Sequence, residues 1–183
     1  MSNVFVMDSD QELIELVNEG DADAFETLYR RYRDWVYHLA RRFTGSPQDA
    51  LDVLQETFTY LLGKFPGFSL TASMTTFLYP VVRHISMTVR SKNRRFTNDE
   101  EILSEMTAPA LKEIHSSRSE LAAVLALLPD EQREVLLMRF VDDMGLQEIA
   151  AALNIPLGTV KSRLHNALQK LRDDRRTKDY FLE

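Results

Sequence analysis

The chain contains no cysteine. That excludes a disulfide framework and any thiolate metal site, and it suits a reducing compartment such as the cytoplasm. No apolar run approaches the ~20 residues needed to span a bilayer, so membrane insertion is not expected. The start, MSNVFVMDSDQELIEL, is acidic and lacks the cationic region and long apolar core of a signal peptide. Strand-forming alternation of useful length is missing, and so are internal repeats. There is no glycine-rich phosphate loop and no G-x-S-x-G elbow. His38, His84, His115 and His165 fall in four separate segments, without i,i+4 pairing and without cysteine to join them, so no metal site is expected. Asp49, Asp52 and Glu56 could be imagined as magnesium ligands on one helix face, but a solvated or partner-facing acidic stripe is the plainer reading. The expectation is therefore no catalysis in this chain alone and no cofactor.

What is present is charge, unevenly placed. The 183 residues carry a net charge of −6, which looks wrong for a nucleic-acid binder. Residues 1–28 hold eight acids and no Lys or Arg, however, whereas residues 29–95 hold 11 bases against four acids. A second basic segment, 161–183, holds seven bases against four acids. Over a Debye length of ~8 Å, local patches rather than the total govern contact with phosphate.

Nearly every periodic segment is helical. Ser9-Asp10-Gln11-Glu12 resembles a capping box opening a helix to about Asn18. Asp21 to Phe43 reads as a long helix with Ala24, Phe25, Leu28, Tyr32, Trp35, Val36 and Leu39 inward. Gly45-Ser46-Pro47 ends it and starts the next, with Ser46 as N-cap and Pro47 at the first position, running to about Lys64. Phe65-Pro66-Gly67-Phe68 opens a loop, and a fourth helix covers about Thr75 to Ser91. Residues 93–115 are charged, contain Pro109 and lack clean periodicity, with room for a short helix near Asn98–Met106. Helical texture resumes at about Ser117–Leu127 and again at Glu131–Phe140. The expected fold class is all-α: two small helical domains joined by a flexible linker, with residues 1–92, 93–116 and 117–183 as domain, linker and domain.

The most informative stretch is Leu146 to Leu171, LQEIAAALNIPLGTVKSRLHNALQKL. Leu146, Ile149, Ala150 and Leu153 form one apolar face. Asn154-Ile155-Pro156 breaks that helix, because proline disfavours helical backbone at the residue before it, while Pro156 itself is tolerated in the next first turn. Val160, Leu164, Ala167, Leu168 and Leu171 form the buried stripe of the second helix. Ser162, His165, Asn166 and Gln169 point the opposite way at ~100° per residue, flanked by Lys161, Arg163 and Lys170. This is the pattern of a helix-turn-helix, whose second helix enters the major groove. An ordinary amphipathic hairpin with a solvated basic face has the same local pattern.

The segments together resemble the extracytoplasmic-function (ECF) group of the sigma-70 family. The resemblance rests on DADAFETLYRRYRDWVYHLARRFTGSPQDALDVLQETF and on LPDEQREVLLMRFVDDMGLQEIAAALNIPLGTVKSRLHNALQKLR, in that order with a tether between. It implies an RNA polymerase sigma factor, with the first domain binding core polymerase and recognising and melting the −10 element, and the second reading the −35 element. Implied partners are core RNA polymerase (the clamp helices of its largest subunit and the flap of the second-largest), promoter DNA and an anti-sigma factor, which could hold the otherwise cytoplasmic chain at the membrane. ALDVLQETF matches the polymerase-binding motif, which points to Asp52, Gln55 and Glu56 as the contact. For the −10 element the resemblance points to the loop from Phe65 to Thr75, which would take an extruded base at Phe68, and to Arg83, His84, Met87, Thr88 and Arg90. For the −35 element it points to Thr159, Lys161, Ser162, Arg163, His165 and Asn166. Three positions depart from the family: Phe77 where tryptophan is frequent, His84 where asparagine is common, and Pro80 near a helix start. A stand-alone helix-turn-helix regulator would explain Leu146–Leu171 but not the first domain, and a helical adaptor would give no transcription initiation.

Overall fold

A computed structural model describes residues 9–96 and 123–177, with the backbone alone for 93–96. Among these residues there is no strand. Backbone contacts separate two units, split between Asn93 and Arg94. The first contains α1 (Asp10–Asn18), α2 (Ala22–Thr44), α3 (Pro47–Leu62) and α4 (Met74–Phe96). The second contains a short helical stretch at 123–127, α5 (Asp130–Phe140), α6 (Leu146–Leu153) and α7 (Leu157–Asp173).

Caps explain most of the boundaries in the first unit. The Ser9 hydroxyl accepts from the Glu12 N–H, and the Glu12 carboxylate accepts from the Ser9 N–H, closing the capping box on α1. The Asp21 carboxylate accepts from the N–H groups of Asp23 and Ala24 at the start of α2. Gly45 ends α2 with φ of 76°, a left-handed conformation that costs glycine little. Ser46 then caps α3, with Pro47 in its first turn.

The core of this unit is built from Leu13, Ile14, Leu28, Val36, Leu39, Val53, Phe58, Leu61, Leu78 and Val82, all buried. Full burial of each such side chain stabilises by roughly 1.5–3 kcal/mol relative to exposure. Two ties fasten the helices further. Asp10 of α1 accepts from Tyr32 Oη and Arg31 of α2, and Arg90 of α4 donates to the Phe43 carbonyl at 3.1 Å. α4 begins at Met74 and passes through Pro80, so Pro80 lies inside the helix rather than in its opening turn. Its ring is exposed, and it lacks the N–H that would otherwise donate to the Thr76 carbonyl one turn earlier. α4 also runs on to Phe96, past the expected end at Ser91 and into the segment read as linker. The short helix expected near Asn98–Met106, and the rest of that linker, lie outside the described residues.

In the second unit, Val124, Leu128, Leu136, Ala167 and Leu171 form a buried cluster, with Leu125, Leu164 and Leu168 packed against it. The carbonyl end of the 123–127 helix is closed by one side chain from α5. Arg133 donates to the carbonyls of Leu125 (2.7 Å), Ala126 (2.9 Å) and Leu128 (2.8 Å). A planar guanidinium can serve three carbonyls at once because its donors form a fixed fork.

Candidate nucleic-acid and polymerase interfaces

The helix-turn-helix forms where expected, by a partly different device. α6 ends at Leu153 because Asn154 takes a left-handed backbone, with φ of 53° and ψ of 48°. Asparagine tolerates that region better than most side chains. The turn is tied by the Ile155 N–H to the Ala150 carbonyl at 3.0 Å. Pro156 occupies the N-cap of α7, one position ahead of the first helical turn. Its carbonyl accepts from the N–H groups of Thr159 and Val160. At the other end of α6, the Glu148 carboxylate accepts from the Gly145 N–H at 2.7 Å.

α7 presents two distinct faces. Val160, Ala167 and Leu171 are buried, with Leu164 and Leu168 half-buried beside them. Lys161, Ser162, His165 and Asn166 are exposed, and Thr159 is half-buried. The Ser162 hydroxyl donates to the Thr159 carbonyl at 3.0 Å and keeps acceptor capacity toward solvent. Lys161 borders a shallow recess with Gly145, Leu146, Gln147, Glu148 and Leu157. Arg163 differs from its neighbours: its guanidinium pairs with Glu131 of α5, and only 23% of its side chain is accessible. It ties α7 to α5 as much as it faces outward.

On α3, Asp52, Gln55 and Glu56 are all exposed and lie together on one side. Large apolar side chains flank them in the open: Leu51, Tyr60 and Leu62 are 49%, 43% and 52% exposed. The opposite side of α3 is buried through Ala50, Val53, Thr57, Phe58 and Leu61. Leu54 is half-buried beside them.

The segment between α3 and α4 carries an aromatic cluster. The Phe68 ring lies 5.3 Å from Phe65 and 4.9 Å from Phe77, centroid to centroid. Phe65 meets Phe25 of α2 edge-on at 6.2 Å, and Phe77 stacks on Tyr60 of α3 at 6.5 Å. Lys64 Nζ stands 4.4 Å above the Tyr60 ring. Phe68 and Phe77 are half-buried, so their rings are packed on one side and accessible on another. Tyr60 was not singled out from the sequence; a large aromatic at an outward position of α3 is the signal that could have found it. The loop backbone is fastened by Asn18 of α1, whose Oδ1 accepts from the N–H groups of Gly67 (2.6 Å) and Phe68 (3.0 Å) and whose Nδ2 donates to the Phe68 carbonyl (2.8 Å).

On α4, Arg83, His84, Met87 and Thr88 are exposed on one side, opposite the buried Leu78, Val82 and Ile85. Arg90 is half-buried and engaged with the Phe43 carbonyl. Arg83, His84, Met87 and Thr88 are thus open to solvent, whereas Arg90 is partly committed to packing within the unit. None of the described helices is long and apolar enough to cross a membrane.

Comparison with known proteins matches these elements to two families. Residues 28–96 match sigma-70 region 2, and residues 118–171 match sigma-70 region 4. The ECF RNA polymerase sigma factor SigW of Bacillus subtilis is 30% identical over 174 residues, spanning 87% of this chain and 92% of its own. An RNA polymerase sigma-E factor of Streptomyces avermitilis is 32% identical over 164 residues, spanning 87% and 89%. Among solved structures, CnrH in complex with the cytosolic domain of CnrY superposes with a TM-score of 0.65 at 21% identity, covering 89% of this chain and 94% of that one. The sigma factor RpoE in complex with the anti-sigma factor NepR from Bartonella quintana gives 0.62 at 19%, covering 81% and 94%. These two structures share the fold. The sequence relatives, with both regions matched in order, place this chain in the ECF group of the sigma-70 family of RNA polymerase sigma factors, a family of specificity subunits rather than enzymes.

Proposed function

We propose that this ECF sigma factor, which binds core RNA polymerase and directs promoter-specific initiation, divides that work between its two helical units. Residues 1–92 dock on the polymerase and engage the −10 element, residues 117–183 read the −35 element, and residues 93–116 tether them. Asp52, Gln55 and Glu56 contact the clamp helices of the largest subunit, with Leu51 and Leu62 supplying apolar area beside them. Phe68 walls the site for an extruded −10 base, and Arg83, His84, Met87, Thr88 and Arg90 line the approach to the adjoining DNA. Extraction of a base costs a few kcal/mol, which stacking on an aromatic wall and cationic contacts must offset. At the −35 element, Lys161 holds phosphate, Ser162, His165 and Asn166 meet base edges, and Thr159 and Arg163 support the first turns of α7. The polymerase supplies the chemistry of RNA synthesis, and this chain supplies binding in the cytoplasm. An anti-sigma factor, the class of partner present with RpoE of Bartonella quintana, would cover the polymerase-docking surfaces and could hold the chain at a membrane.

The observation that supports this reading is the pairing on one chain of two such faces: α7, with a buried stripe and an exposed polar side opposite, and α3, with exposed Asp52, Gln55 and Glu56 beside exposed Leu51 and Leu62. Reconstitution with core polymerase tests it. The chain should co-elute stoichiometrically and support run-off transcription from a subset of a genomic fragment library. Asp52→Ala with Glu56→Ala should weaken co-elution, whereas His165→Ala should leave co-elution intact and shift promoter choice. DNA binding without co-elution would point instead to a stand-alone regulator.

A further inference from the structure

The loop between α3 and α4 makes its backbone hydrogen bonds in an unusual place. A loop outside helices must find partners for its N–H and C=O groups. Here, three of those groups, the N–H of Gly67, the N–H of Phe68 and the C=O of Phe68, go to one side chain from another helix, Asn18. The chemistry is selective for an amide. A carboxylate could accept from both N–H groups but could not donate to the carbonyl, and a flipped amide would set donors against donors. Gly67 has φ of +99°, so the turn held by this amide is one that ordinary side chains resist.

Asn18 is itself firmly placed. It is the last residue of α1, one turn beyond the fully buried Ile14 and next to the buried Val17. α1 is anchored on α2 by Asp10, which accepts from both Tyr32 and Arg31. A rigid amide therefore fixes the backbone of Phe68, the residue whose ring contacts Phe65 and Phe77.

We propose that Asn18 is a positioning residue for promoter opening: through its three hydrogen bonds to Gly67 and Phe68, α1 sets the loop in the conformation that receives the extruded −10 base. The inference rests on the reading of this loop as the base-receiving element. Asn18 acts through the loop and does not itself touch the base.

Holoenzyme carrying Asn18→Ala, Asn18→Asp or Phe68→Ala is compared with the natural chain. Promoter opening is followed by 2-aminopurine fluorescence on an intact promoter and on a set in which each −10 position in turn is abasic. Core binding is followed by co-elution, and folding by thermal unfolding. Asn18→Ala should slow opening roughly tenfold on the intact promoter, the scale expected from losing a small set of hydrogen bonds. Asn18→Asp, which keeps the acceptor, should fall between. On the promoter whose abasic site removes the extruded base, the Asn18 variants and the natural chain should open alike, because the loop then has nothing to receive. Equal slowing on intact and abasic templates would mean a general structural defect and would overturn the proposal. If Asn18→Ala does not fold, Asn18→Asp carries the same comparison. Should Phe68→Ala and every abasic template open normally, the base-receiving reading of the loop fails. Should those slow opening while both Asn18 variants do not, only the role of Asn18 fails.

Discussion

Lys161 and Arg163 sit two residues apart on α7, and their sequence context is alike, yet they should respond differently to removal. Lys161 is exposed. Arg163 is 23% accessible and paired with Glu131, which is itself 69% exposed. A cation that neutralises one phosphate contributes about 0.9 to the slope of log affinity against log salt. A fourfold rise in salt therefore costs one such contact about 3.5-fold in affinity. Lys161→Ala should reduce the slope by about 0.9 and narrow the salt-induced loss by that factor. Arg163→Ala should change the slope by clearly less, because part of its charge is already answered by Glu131. It should instead lower the stability of the second unit by about 0.5 kcal/mol, the scale of a pair with one partner largely in solvent. The assay is promoter binding by reconstituted holoenzyme across a salt series, with denaturant unfolding of each variant alongside. Identical slope changes for the two variants, or no change for Lys161→Ala, would refute the assignment of Lys161 to phosphate and of Arg163 to the tie between α5 and α7.

His165→Ala or Asn166→Ala should cost ~1–3 kcal/mol at one −35 base pair and little at the others; binding to a panel of single-base promoter variants checks this, and a uniform loss would contradict base reading. Arg133→Ala should destabilise the second unit by about 2 kcal/mol, a figure reduced for the partial exposure of the guanidinium, because carbonyls at the end of the 123–127 helix lose their charged donor. Arg133→Lys should recover less than half of that in denaturant unfolding, since an ammonium lacks the fork. The Glu12 carboxylate is held below its usual range of 4.5, first by the Ser9 backbone N–H and then by the Ser9 hydroxyl. A depressed folded value means that the stabilisation is present above the unfolded value and is lost as pH falls through the folded one. Glu12→Gln should therefore lower the stability of the intact chain slightly near neutrality and converge with the natural chain in acid, where Glu12 is itself protonated, as denaturant unfolding across a pH series would show.

Helix starts and stops were legible because their signals are local. Ser9, Asp21, Ser46 and Gly45 each act within three or four residues of themselves, and each does what its residue type suggests. The buried stripe and polar face of α7 were legible for the same reason, since ~100° per residue orders both. What escaped were interactions across long sequence separations. Arg163 reaches Glu131, 32 residues away, and Asn18 reaches Phe68, 50 away. Arg133 was unremarkable within its own helix and matters through carbonyls upstream of it. Asn18 did leave one trace, a polar side chain continuing the apolar series Leu13, Ile14 and Val17. Pro80 was read near a helix start, whereas α4 opens at Met74, where Ser73 supplies a hydroxyl acceptor for the Thr76 N–H at 3.3 Å.

On α7, the side chains that anchor the helix and those proposed to meet DNA are almost disjoint sets. Val160, Ala167 and Leu171 could be kept while Ser162, His165 and Asn166 are exchanged, with little cost to folding. A chain built this way can acquire a new address by surface substitution alone, so duplicated copies are free to diverge toward different genes without first passing through an unstable intermediate.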